Sequence, residues 1–160
     1  MNEGFDTATL HANLVSVKGV GVLITVEAGN GKSEVSLQLI SRGHALVADD
    51  VVQIERTAAA PVGSAPVKLR QLIELKGLGI ADVVGLFGEQ AFKASSPVNI
   101  LVELILAEPV ERSVPASSSE EQLLGASLPK FSLRCDEKRD LARKIEIAVD
   151  LLRSSELIRP

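Results

Sequence analysis

Apolar residues between positions 7 and 26 fall into two partly alternating runs split by Lys18-Gly19, a pattern that predicts a hairpin. The second run, Gly21-Val22-Leu23-Ile24-Thr25-Val26, is almost continuously apolar, as expected of a strand covered on both faces. Val35, Leu37, Leu39 and Ile40 then give the stripe of a helix, and Arg42-Gly43 supplies a basic last turn and a stop. His44-Ala45-Leu46-Val47-Ala48 reads as a short buried strand ending in Asp49-Asp50, and 51–54 alternates as another.

Later segments are less regular. Residues 57–66 are rich in Ala, Pro and Gly and read as a loop, 69–75 suit either a helix or a strand, and Gly77 and Gly79 suit a tight turn. A strand is predicted over 100–107. The polar stretch 109–123, with Ser117-Ser118-Ser119, reads as a mobile loop or lid. An edge strand over 128–133 and a helix over 136–152 complete the chain. In that helix Leu141, Ile145, Ala148 and Leu152 recur at spacings of four, three and four, which marks core packing rather than a cofactor box.

A length of 160 residues predicts a single domain over 1–160, large enough to bury about 70% of its unfolded surface. The lone Cys135 cannot pair within the chain, and Met1-Asn2-Glu3 is not the basic start of a signal peptide. No apolar stretch approaches the ~20 residues that span a bilayer. A soluble, cytoplasmic protein is the expectation, with no membrane partner. The net charge of −4 is interspersed, Trp and Tyr are absent and only four Phe occur, so nucleic acid is not expected as a partner either. A small-molecule or protein substrate remains.

The chemistry concentrates at the end of the predicted hairpin. In Val26-Glu27-Ala28-Gly29-Asn30-Gly31-Lys32-Ser33-Glu34 an apolar strand gives way to glycines, then Lys-Ser, then a helix, which is the context of a phosphate-binding loop. Backbone N–H groups of such a loop surround phosphate oxygens, Lys32 reaches the terminal phosphates, and the Ser33 hydroxyl holds Mg2+. The plainer alternative is a Gly-rich turn with no ligand. Val26 stands where the motif usually opens with Gly; if the backbone there needed a positive φ, a β-branched residue would cost about 1–2 kcal/mol and weaken nucleotide binding. Asp49-Asp50, at a strand end after the loop and its helix, lie where metal and base residues are expected, or form a solvated turn.

Taken together, several segments resemble the catalytic domain of HPr kinase/phosphorylase, the bacterial enzyme acting on a serine of the sugar-transport phosphocarrier HPr. They run in order through His11, the strand 19–24, the loop from Gly29 to Glu34, Arg42-Gly43-His44, Leu46-Val47-Ala48-Asp49-Asp50, and Glu74-Leu75-Lys76-Gly77-Leu78-Gly79-Ile80-Ala81-Asp82-Val83. The match covers most of the first 85 residues, and its start suggests a short form without the N-terminal domain of longer relatives. The resemblance implies an α/β fold, a mixed sheet with flanking helices around a phosphate loop, like phosphoenolpyruvate carboxykinase. It implies ATP and Mg2+ as cofactors, an HPr-like phosphocarrier as partner, and a homo-oligomer such as a hexamer.

The same resemblance implies residue roles. Asp49 is the general base toward the attacking serine and His11 tunes it; Lys32 binds phosphate; Ser33, Asp50 and Glu74 serve the metal; Arg112 stabilises the transferred phosphate. Glu27, Ala28, Gly29, Asn30, Gly31, Lys32, Ser33 and Glu34 cradle the nucleotide. The sequence departs from the family at Val26, Glu27, Ala28 and Lys76, and Lys138-Arg139-Asp140-Leu141-Ala142 only roughly matches a C-terminal signature. Two other readings follow: a weakened nucleotide-binding or regulatory module of the same fold, or a kinase for another substrate.

Overall fold

The computed structural model describes residues 6–26, 31–105, 119–134 and 140–154. The first strands are β1 (Thr7–Leu10), β2 (Asn13–Val17) and β3 (Val20–Val26). β2 and β3 form the predicted hairpin, turning through Lys18 (φ 54°) and Gly19 (φ 84°), the paired positive angles that match strand twist in a two-residue turn. Helix α1 (Lys32–Ser41) follows and buries Val35, Leu39 and Ile40. β4 (Ala45–Ala48), wholly buried, leads through Asp49-Asp50 into β5 (Val52–Glu55), whose residues alternate buried and exposed as expected.

The segment predicted as loop over 57–66 contains a further strand, β6 (Val62–Ser64). Its central Gly63 has no room for a side chain, since a Cβ would lie 2.5 Å from Leu14 Cδ2, so packing removed the alternation that betrays a strand. The ambiguous 69–75 stretch resolves as β7 (Leu72–Leu75), paired with β8 (Gly79–Asp82) across a tight turn with Gly77 at φ 86°. A short helix α2 (Val83–Phe87), capped by the Asp82 carboxylate, and β9 (Ser95–Pro97) precede β10 (Ile100–Ile105). Of the predicted polar lid, 119–123 is instead strand β11 (Ser119–Leu123), and 109–118 lie outside the described residues. β12 (Ala126–Arg134) is an interior strand rather than the predicted edge, because β11 covers its free side. The chain then enters α3 (Leu141–Arg153); 136–139 lie outside the described residues.

Six strands form a mixed sheet in the order β11-β12-β10-β3-β2-β4, with β3, β10 and β12 parallel. Four more, β1-β5-β6-β9, form an antiparallel sheet. Alternation along the central strands sends side chains to two cores. Val22, Ile24, Val102 and Leu104 pack with Leu39, Ile145 and Val149 of the helices, while Leu14, Leu23 and Leu101 pack with Val52, Ile54 and Val98 under the second sheet. Covering on both faces explains the continuous apolar runs of β2 and β3. The predicted mixed sheet with flanking helices is therefore observed, with a second sheet as a third layer.

Candidate functional site

β3 and β4 run in the same direction on either side of β2, so their C-terminal ends lie at the same end of the sheet, where ligands of α/β proteins gather. There α1 begins at Gly31, whose φ of 136° only glycine adopts readily, and no side chain caps the helix. The first N–H groups of a helix lack partners within it, and among the described residues no side chain caps these, the arrangement that binds anions. Lys32 opens the helix and is buried, and its Nζ is 3.6 Å from Asp50 Oδ1.

Eight of the predicted residues meet around one cavity of about 370 Å³, His11, Gly31, Lys32, Ser33, Glu34, Asp49, Asp50 and Glu74, joined by Lys76. Asp49 is 8% exposed. Its Oδ1 accepts from the Ser33 hydroxyl at 2.7 Å and from Asn13 Nδ2 at 2.7 Å, and its Oδ2 accepts from the Glu74 backbone N–H at 3.0 Å. A carboxylate has about four acceptor positions, so three hydrogen bonds from the described residues leave Oδ2 with one more, on a residue that lines the cavity. Asp50, half-exposed on the same cavity, has different partners, with Oδ1 3.3 Å from His11 Nδ1. Glu27, Ala28, Gly29, Asn30 and Arg112 lie outside the described residues.

Val26 corrects one expectation. It closes β3 in register with Leu104, packs against the core, and is not among the described residues with positive φ. The strain argued from a glycine position does not arise, because the strand runs one residue further than the motif suggests.

Among the described residues no three His, Cys, Asp or Glu side chains converge to hold a metal by themselves. The oxygen donors on this cavity do suit Mg2+, which takes one or two protein ligands and completes its shell with water and phosphate oxygens. Sequence reasoning missed Asn13, fully buried and bonded to both acids; a polar residue inside an apolar strand run was the available signal.

It also missed a clamp at the far end of α1 and the start of β4. Buried Glu146 of α3 accepts from Arg42 Nε and Nη2 at 2.8 and 2.7 Å, meets His44 Nε2 at 2.7 Å, and accepts from Arg143 Nη1 at 3.2 Å. The Arg42 hydrogen bonds, with smaller help from His44 and Arg143, outweigh burial and hold its carboxyl well below the usual range.

Residues 5–157 match the family model described as the HPr serine kinase C-terminal domain. The chain belongs to that family. The HPr kinase/phosphorylase of Bordetella pertussis is 40% identical over 146 residues, covering 89% of this chain and 47% of that protein. That of Geobacillus kaustophilus is 41% identical over 145 residues, with the same coverage. The chain thus spans about half the length of the curated relatives it matches. The solved HPr(Ser) kinase/phosphatase from Coxiella burnetii superposes with a TM-score of 0.83 at 36% identity, covering 93% of this chain and 92% of that one. The family expected from the N-terminal motifs holds, and its match extends through β12 and α3.

Proposed function

We propose that this chain is an ATP- and magnesium-dependent serine kinase acting on an HPr-like phosphocarrier. The observation that carries the reading is the meeting of Lys32, Ser33 and Asp49 in one cavity beside an uncapped helix N-terminus. Phosphoryl transfer needs a phosphate cradle, a cation and a carboxylate to accept the hydroxyl proton, and it rests on positioning more than on covalent chemistry.

The N-terminal turn of α1 and Lys32 bind and orient the nucleotide's phosphates. Bound magnesium neutralises charge that builds on those phosphates; Ser33 Oγ, Asp50 and Glu74 are the groups that would hold it. Asp49 Oδ2 takes the proton of the acceptor serine as its oxygen bonds to the γ-phosphorus and the bond to ADP breaks. In the phosphorylase direction inorganic phosphate attacks the phosphoserine phosphorus, pyrophosphate forms as the bond to the serine oxygen breaks, and the same Oδ2 returns the proton to that oxygen. His11, expected to tune Asp49, lies instead beside Asp50, and in this reading it orients that second acid. Arg112 stabilises the transferred group, and residues 27–30 complete the cradle. Among the described residues no helix is long and apolar enough to cross a membrane. ATP and a phosphocarrier as substrates fit a cytoplasmic enzyme, and the family resemblance adds a homo-oligomer to the proposal.

Incubation with labelled ATP, Mg2+ and HPr should put label on a serine of HPr. No label, with a relative active in parallel, sinks the reading. Tight ATP binding without transfer would leave the regulatory-module alternative, and transfer to another acceptor would redefine the substrate.

A further inference from the structure

Asp50 has the most unusual backbone at the site. Its φ is 74°, and the Val51 N–H donates to the Asp49 carbonyl at 2.9 Å, so a three-residue turn closes around a non-glycine residue in a conformation that is rare and strained. Such strain persists only where the surroundings over-determine it. Here the surroundings are the start of β2. The Asp50 N–H donates to Asn13 Oδ1 at 2.8 Å, and the Asp50 carbonyl accepts from the Ala12 N–H at 3.2 Å. Asn13 is fully buried and uses its whole amide: Nδ2 donates to Asp49 Oδ1 and to Ser36 Oγ at 2.7 and 2.9 Å, while Oδ1 holds the turn.

We infer that Asn13 is a positioning residue that sorts the two acids into separate tasks. One end of its amide fills Asp49 Oδ1 and so leaves Oδ2 as the open proton acceptor. The other end holds the strained turn that swings Asp50 away, toward Lys32 and His11. An apolar residue of similar size would fill the same space in β2 but release both constraints at once, and the Asp50 N–H would lose its partner. Outer groups of this kind, which touch ligands rather than substrate, commonly tune metal affinity or rate about 10–100-fold. The inference rests on the kinase reading, since it concerns the metal and acid groups of that site.

Asn13→Val decides it, with Ser36→Ala as the control that removes the amide's other partner and leaves both acids bound. Calorimetry of ADP with and without Mn2+ reads the metal-dependent part of affinity without requiring turnover. For Asn13→Val that part should fall about tenfold while metal-free ADP binding stays within about twofold, and kcat for transfer should fall while KM for ATP rises with the lost metal-dependent affinity. Ser36→Ala should lower only the melting temperature. Unaltered Mn2+ dependence and kcat in folded Asn13→Val overturn the assignment, as does an equal loss in Ser36→Ala, which would mean general destabilisation. Should the valine variant not fold, Asn13→Asp takes its place: it keeps the acceptor for Asp50 but sets a carboxylate against Asp49, and wild-type metal dependence in it is the overturning result. If the wild type itself binds no metal-nucleotide, the kinase reading fails instead.

Discussion

Asp49 and Asp50 are neighbours in sequence with opposite surroundings, and substitution should separate them. Asp49→Asn removes the open acceptor, so transfer should fall about 10²- to 10⁴-fold. It should also lower the melting temperature, because the new amide hydrogens face either Asn13 and Ser33 or the Glu74 N–H, a mismatch costing about 1–3 kcal/mol. Asp50→Asn, half-exposed, should leave stability almost unchanged. Rates and melting curves on both variants check this, and a near-normal rate in Asp49→Asn would transfer the base role to Asp50. Val26 makes a second residue-level case. Because it sits in an unstrained strand, Val26→Gly should lose about 1–2 kcal/mol through backbone freedom and lost burial, with ATP affinity within about twofold of wild type. Tighter ATP binding in a calorimetric titration would restore the strain argument.

At the scale of elements, what was legible followed from patterning. β2, β3, β4, β5 and α1 announce themselves because they are covered by core on one or both sides. β6, β9 and β11 do not, being short, rich in Ser, Pro, Gly or Glu, and placed away from the central strands. The motif residues of the site were legible because a phosphate loop is local in sequence. Asn13 and Glu146 were not, because their bonds join residues 36 and 102 positions apart. The Glu146 clamp ties α3 to the end of α1 and the start of β4, so Glu146→Gln should cost about 2 kcal/mol at neutral pH, less than a fully desolvated pair because Arg42 is half-exposed. Its carboxyl titrates lower folded than unfolded, where about 4.5 is ordinary, so its contribution is complete above that value and is lost as pH falls below it. The melting-temperature gap between wild type and Glu146→Gln should accordingly narrow below about pH 4.5. A gap that widens there would contradict the clamp.

For the whole molecule, a ligand that binds only the folded state adds stability by mass action. ATP with Mg2+ at a hundred times its Kd should contribute about 2.7 kcal/mol, and a chelator should remove most of the rise in melting temperature. An unchanged melt would count against nucleotide binding. Most residues lining the site are laid down early, His11 through Lys76, yet Glu146 follows His44 by 102 residues. At about 5–20 residues per second of synthesis, roughly 5–20 s separate the emergence of α1 and β4 from that of the helix that fastens them. The parallel pairing of β3 with β10 waits on distant chain as well. During that interval the nascent chain carries Lys32, Ser33 and both acids without the frame that aligns them, so the site takes shape only with α3, and not when the residues that line it are made.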